Sequence, residues 1–268
     1  LTRVSLNTAK IPHFIVNAGS RVLPDVSSFD ALLQPGKNIA EAPAMTKQDV
    51  HNAVDFGRVI GKSLSNSIDC LVIGESIPGG TTTALSVLKG FGIDASVSSS
   101  MPKNPIEIKQ KTVSSALERI KSDDPFEIVA DLGDPMIPVC AGMLSEASNH
   151  CNVILAGGTQ MTAVLAFAKK IGYNKDNTAI GCTSYIIDDA DAKFLETVKQ
   201  IDDIAVLSVD PHLSESQFFG LQSYSEGFVK EGAGAGGCLI AAILKTGRTS
   251  QKLLELIETE YQRISTLQ

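Results

Sequence analysis

The stretch Ile73-Gly74-Glu75-Ser76-Ile77-Pro78-Gly79-Gly80-Thr81-Thr82-Thr83 decides how the rest of the chain is read. It closes the short apolar run Ile68–Ile73 and opens the helix-period segment Thr82–Phe91. A strand, a glycine-rich turn and a helix in that order bring backbone N–H groups and the positive end of a helix to one point, which suits an anion. The threonines add caps and hydroxyls. The spacing G-x-x-x-x-G-G-T imitates a triphosphate-binding loop, but Gly80 stands where that loop needs lysine, so a kinase or ATPase is not expected. The competing reading is a tight turn that binds nothing.

Working outward, the same alternation recurs. His13–Asn17, Ile68–Ile73, Phe126–Ala130, Asn152–Leu155, Thr178–Cys182 and Ile204–Val209 are short, continuous apolar runs, the pattern of strands buried on both faces. Helical periodicity runs over Thr46–Leu64, Thr82–Phe91, Pro105–Lys121, Ile137–His150, Gln160–Ile171 and Asp189–Gln200. This order predicts an α/β fold, a three-layer α/β/α doubly wound sheet that is mostly parallel, with ligands at the carboxyl ends of the strands. Arg248–Thr266 reads as an amphipathic helix with Leu253, Leu254 and Ile257 on one side. Residues 1–247 are thus expected to form the α/β domain, and 248–268 to join the N-terminal segment in a small helical cap.

Composition narrows the function. The 268 residues carry a net charge of −7, which argues against a nucleic-acid binder. No apolar run is long enough to span a bilayer, and residues 1–20 lack the pattern of a signal peptide. The cysteines, Cys70, Cys140, Cys151, Cys182 and Cys238, are odd in number and form no C-x-x-C pair, which fits a reducing cytoplasm. His13, His51, His150 and His212 have no metal-ligand spacing, so neither a metal nor a cofactor is expected.

Two further glycine turns stand out. Leu155-Ala156-Gly157-Gly158-Thr159-Gln160 again joins strand to helix; close strand–helix packing explains it equally well. Lys230-Glu231-Gly232-Ala233-Gly234-Ala235-Gly236-Gly237 satisfies G-x-G-x-x-G at Gly232, Gly234 and Gly237, but too little chain follows to complete a βαβ unit, so it is not a dinucleotide fingerprint. It reads as backbone kept slim for close approach, with the Glu231 carboxylate facing whatever it approaches; a solvated charge beside Lys230 is the bland alternative. Ser98–Ser100 and Lys103-Asn104-Pro105 precede Lys109 and Lys111. Asn104 is expected to cap the following helix, with Pro105 its first residue. The two lysines, two apart, cannot share a helix face, so at most one meets a ligand.

Gly74–Leu85 (GESIPGGTTTAL), Leu155–Met161 (LAGGTQM) and Lys230–Gly237 (KEGAGAGG) together resemble the nicotinate-nucleotide–dimethylbenzimidazole phosphoribosyltransferase family, and more narrowly its divergent branch. The resemblance covers Leu1 to about Leu254 and implies further sequence before Leu1. It implies transfer of ribose 5-phosphate from nicotinate mononucleotide to a benzimidazole-type base, small-molecule partners only, and a homodimer. On this resemblance Glu231 corresponds to the general base of a G-E-G-x-G-A turn, with Lys230 replacing a glycine. Glu75 corresponds to a supporting carboxylate in G-E-x-x-x-G-N-T-T, with Gly80 replacing the asparagine. Gly79, Gly80, Thr81, Thr82, Gly157, Gly158, Thr159, Gly232 and Gly234 would hold phosphate and ribose, helped by Lys109. Asn17-Ala18-Gly19 stands where the family has A-G-D-H-G near the acceptor ring; the aspartate and histidine are absent. Two other readings stand beside this one: the same fold with a purine, a phenol or water as acceptor, and a non-catalytic nucleotide-binding protein.

Overall fold

In a computed structural model, which describes residues 1–99, 101 and 104–266, the chain alternates helices and strands. In order these are α1 (Thr2–Ala9), β1 (Ile15–Asn17), β2 (Ser28–Asp30), α2 (Lys47–Ser65), β3 (Cys70–Gly74), α3 (Gly80–Gly90), α4 (Ile106–Leu117), α5 (Pro125–Leu132) and α6 (Met136–Ala147). There follow β4 (Asn152–Ala156), α7 (Thr159–Ile171), β5 (Thr178–Thr183), α8 (Ser184–Ile187), α9 (Phe194–Ile201), β6 (Ala205–Val209), α10 (Phe219–Ser225), α11 (Ala235–Thr246) and α12 (Ser250–Ser265). Strands β3, β4, β5 and β6 form one wholly parallel sheet in chain order, and β1 pairs with β2 in a small parallel sheet of their own.

Side-chain alternation along the strands builds the layers. Val153 and Leu155 of β4 enter a large core shared with α2, α3, α5, α6, α7 and α9, whereas Ile154 between them enters a second core with α1, α11 and α12. The sheet is therefore covered on both faces, giving the expected three layers, and the two chain ends supply the second helical layer. Leu253, Leu254 and Ile257 of α12 are all buried there. On the first face α2 and α6 cross in near backbone contact: a β-carbon on Gly57 would stand 2.2 Å from the Val139 carbonyl oxygen. No described helix is long and apolar enough to cross a membrane.

Three local readings are corrected. Phe126–Ala130, expected as a strand, is helix α5. Asp124 accepts the N–H of Phe126 at 2.9 Å and Pro125 occupies the first turn, so a cap and a proline start a helix where the apolar run alone suggested extended chain. The helix expected from Asp189 begins at Phe194, after Lys193 takes a left-handed conformation with φ 44°. Asn104 does not cap α4, whose first residue is Ile106 after Pro105; its amide donates to the Val97 carbonyl oxygen at 2.8 Å and pins the preceding loop. Ser100 and Lys103 lie outside the described residues.

Candidate active site

The carboxyl ends of β3, β4 and β5 carry the three glycine turns, and backbone contacts lock the turns together. Gly74 ends β3, and a β-carbon there would lie 3.1 Å from the α-carbon of Gly234. Gly237 presses on Ala156 at the end of β4, and Gly236 on the Cys182–Thr183 peptide at the end of β5. The first two turns meet as well: a β-carbon on Gly80 would lie 3.2 Å from Gln160 Cγ. Side chains at these positions would force the elements apart, which explains why glycine recurs there. Helices α3, α7 and α11 start at Gly79, Gly158 and Gly234, none with a side chain of its own as cap. Their N-termini gather at one end of the sheet.

Two carboxyls face this junction. Glu231 reaches from its turn to the end of β5: Oε1 accepts the N–H of Thr183 at 2.5 Å, and Oε2 accepts that of Gly236 at 3.1 Å. The Thr183 hydroxyl in turn donates to the Lys230 carbonyl oxygen at 2.7 Å, fixing the turn. Burial opposes ionisation more than these N–H groups favour it, and the Glu231 carboxyl is pushed up to about 7. Glu75 is also raised to about 7, by burial first and then by the charges of Asp134 and Glu231. Asp134 stands at the start of α6, buried. Its Oδ1 accepts from the N–H groups of Met136 and Ile137 at 3.0 and 3.3 Å, and its Oδ2 accepts from Thr83 Oγ1 at 2.5 Å. These carboxyls are neighbours but not a chelate: among the described residues no group of three or more His, Cys, Asp or Glu could hold a metal ion.

Lys109 brings positive charge. It is buried, and its ammonium donates to the Ser98 carbonyl oxygen at 2.8 Å and to Asn104 Oδ1 at 2.9 Å. Ser98 Oγ is 3.4 Å from Thr159 Oγ1, at the start of α7. Burial and the neighbouring Lys230 lower Lys109 to about 8. Lys230 pairs with Asp189 at 2.6 Å. Beside this pair opens a cleft of about 520 Å³ whose walls include Tyr185, Tyr224, Asp188 and Ser225.

Of the residues singled out in the sequence, Glu75, Gly79–Thr82, Gly157–Thr159, Glu231, Gly232 and Gly234 lie on the three turns at one end of the sheet, and Lys109 reaches them through Ser98. Lys111 is exposed on the other side of α4. Asn17, Ala18 and Gly19 form a turn at the end of β1. Asn17 Oδ1 accepts the N–H groups of Gly19 and Ser20, and the turn rests on Gln34. Gly36, two residues on, touches Asp134 and Pro135. Sequence reading passed over Asp134, Thr183 and the pairing of Asp189, and gave Thr83 and Ser98 no partner. Their roles depend on partners far away in the chain, although Asp134-Pro135 before an apolar helix was visible as a cap signal.

A family model described as phosphoribosyltransferase matches residues 7–185. The chain belongs to this phosphoribosyltransferase family. It is 42% identical over 264 residues to a UPF0284 protein of Archaeoglobus fulgidus, covering 98% of this chain and 75% of the relative. To a UPF0284 protein of Sulfurisphaera tokodaii it is 42% identical over 269 residues, covering 99% and 76%. Its fold is that of the nicotinate-nucleotide–dimethylbenzimidazole phosphoribosyltransferase from Thermus thermophilus, with a TM-score of 0.68 at 19% identity over 94% of this chain and 70% of that one. The phosphoribosyltransferase is thus a glycosyltransferase-type enzyme acting on small molecules. The family match ends before Glu231, so the third turn joins the site on geometry.

Proposed function

We propose that this phosphoribosyltransferase moves ribose 5-phosphate from nicotinate mononucleotide to a benzimidazole-type base, giving an α-ribazole 5′-phosphate and nicotinate. One arrangement carries the reading: Glu231, with its carboxyl near 7, faces the same turn junction as the uncapped starts of α3 and α7 and the Lys109–Ser98–Thr159 chain. The helix starts and Lys109 suit the phosphate. The acceptor's ring nitrogen attacks C1′ with its lone pair, and the C1′–N bond to the pyridinium breaks. The bonding pair returns to the pyridine nitrogen, so the leaving group needs no acid. Attack from the opposite face inverts C1′. The acceptor's second ring nitrogen then gives its proton to Glu231, whose pKa suits a base at neutral pH. The free thiols fit a reducing cytoplasm, and a homodimer is the assembly the family resemblance implies.

A purine acceptor is favoured by a different observation. The cleft beside Lys230 is walled by Tyr185, Tyr224, Asp188 and Ser225, which offer hydrogen bonds that dimethylbenzimidazole cannot use fully. The test is nicotinate release from nicotinate mononucleotide with dimethylbenzimidazole, adenine, a phenol or no base. Release with dimethylbenzimidazole supports the proposal, and faster release with adenine transfers it to purines. Release without any base makes the enzyme a nucleotide hydrolase. No release under any condition overturns transfer altogether.

A further inference from the structure

The segment that carries Glu231 is placed by polar ties and hardly at all by apolar packing. No residue from Gln217 to Ala233 is buried, and α10, inside that stretch, has none. Phe228 and Val229, just before Lys230, are 52% and 40% exposed. Three ties run instead to one short piece of chain, Thr183–Asp189, at the end of β5. The Thr183 hydroxyl donates to the Lys230 carbonyl oxygen at 2.7 Å, and the Thr183 N–H donates to Glu231 Oε1 at 2.5 Å. Six residues on, Asp189 Oδ2 accepts from the Lys230 ammonium at 2.6 Å. A fourth tie holds the far side of the turn: Thr2 Oγ1 in α1 donates to the Ala233 carbonyl oxygen at 3.0 Å.

The Lys230–Asp189 bond is the strong member of this set. It joins two charges, and the side chains are only 15% and 7% exposed, so water and salt screen it little. A buried ion pair adds little net stability, because desolvation offsets the attraction; its worth here is geometric. With its carbonyl and its ammonium both held by the 183–189 stretch, Lys230 cannot turn about either bond alone. The side chain of the next residue is aimed as a result. The G-E-G-x-G-A turn that this segment resembles has glycine at the place of Lys230, and glycine has no side chain for such a tie. We infer that Lys230 is a positioning residue: its ion pair with Asp189 is the catch that holds the Glu231 carboxyl against Thr183 and Gly236 at the turn junction. Glu231's role in the chemistry rests on the proposed transferase reading, but its placement by this catch does not.

The experiment is amide hydrogen exchange of the unliganded full chain. The reporters are the Thr183 and Gly236 N–H groups, which donate to the Glu231 carboxyl, with Leu155 in β4 as the core reference. Lys230→Met keeps the length of the side chain and removes its charge. Protection of the two reporters should fall about 10- to 100-fold, the worth of a charged hydrogen bond, while Leu155 holds its own. Asp189→Asn should do the same, and Lys230→Arg should restore protection. Turnover of Lys230→Met should drop about 10- to 100-fold in kcat through misplacement of Glu231, with donor KM within twofold. Unchanged reporters, or reporters that lose protection only in step with Leu155, overturn the inference. A raised donor KM with kcat intact also overturns it, making Lys230 a contact of the donor. If a single variant leaves a buried charge unpaired and does not fold, Lys230→Met/Asp189→Asn removes both charges. That double variant should regain thermal stability yet keep the local loss at Thr183 and Gly236; normal protection there overturns the catch. Because exchange needs no turnover, a local loss in a protein that releases no nicotinate keeps this inference while the transferase reading fails.

Discussion

Gly74 and Gly234 face each other so closely that a β-carbon on the first would stand 3.1 Å from the α-carbon of the second. They come from turns about 160 residues apart in the sequence, and their contact makes the end of β3 and the start of α11 parts of one site. Backbone-to-backbone packing at this distance has no slack, since interiors transmit strain instead of absorbing it.

The glycines should therefore separate into two kinds. A β-carbon at Gly236 would stand 2.1 Å from the Cys182 carbonyl carbon and 2.3 Å from the Thr183 nitrogen. Gly236→Ala should cost about 3 kcal/mol or more, and the melting temperature should fall by several degrees. Gly79 has φ 75° and nothing within 4 Å of such a carbon. Gly79→Ala should cost only about 1–2 kcal/mol of left-handed strain and should show its main effect on donor KM. Thermal melts of both variants check this; equal losses would mean that the Gly236 contact is relaxed in solution.

Lys109 should govern phosphate affinity. Lowered to about 8, it is mostly charged at pH 7 and mostly neutral at pH 9. Protection of the wild type by inorganic phosphate against thermal unfolding should weaken as pH rises from 7 to 9. Lys109→Met should abolish that protection and raise donor KM by about 10- to 100-fold, the worth of a charged hydrogen bond. Lys111→Met, on the exposed side of α4, should leave both unchanged. An unaltered KM in Lys109→Met removes it from the phosphate.

What the sequence disclosed follows from physics that is local. The runs over β3, β4, β5 and β6 are continuous and apolar because both faces of the sheet are covered, so they could be read without knowing the neighbours. Phe126–Ala130 is equally apolar but helical, and only Asp124-Pro125 distinguishes it. Helix α11 was hidden behind Gly236 and Gly237, poor helix formers that are needed for close approach to β4 and β5. The choice between Lys109 and Lys111 was open because spacing says that they diverge, not which one points inward. Asp134 could be read as a cap, but its link to the first glycine turn could not: its second oxygen is satisfied by Thr83, a pairing that exists only after folding.

Stability of the unliganded protein should fall between pH 5 and 7.5. Glu75 and Glu231 ionise near 4.5 when unfolded and near 7 when folded. In this window the folded state binds more protons, so stability is fully present below 4.5 and is lost as pH rises toward 7. Asp134 is pushed in the same direction. Glu75→Gln removes one such group and should flatten the decline, gaining on the order of 1–3 kcal/mol at pH 8 relative to pH 5. Urea unfolding of both proteins across the range measures it, and parallel curves for the two would show that Glu75 is not destabilised by folding.

The kinetic roles of the two carboxylates should differ although their pKa values coincide. Glu231 is oriented by the N–H groups of Thr183 and Gly236, so its remaining lone pairs have a fixed direction, and a base must be directed as well as basic. Glu231→Gln keeps the shape and, through the one oxygen that lies within reach of both N–H groups (Oε1, 2.5 Å from Thr183 N and 3.2 Å from Gly236 N), can still accept from them but cannot take a proton. It should lose about 10²- to 10⁴-fold in kcat with donor KM nearly unchanged. In the wild type, turnover should rise with pH through about 7 as Glu231 ionises, and that rise should vanish in the residual activity of Glu231→Gln. Glu75 feels the charge of Glu231, and such coupling is mutual, so Glu75→Gln should lower the midpoint of the rise by relieving repulsion and should cost less in kcat. Rates measured with dimethylbenzimidazole and with adenine across pH 5.5–8.5 separate the two roles. A near-normal kcat in Glu231→Gln, or a pH profile that follows Glu75 alone, would exchange the assignments.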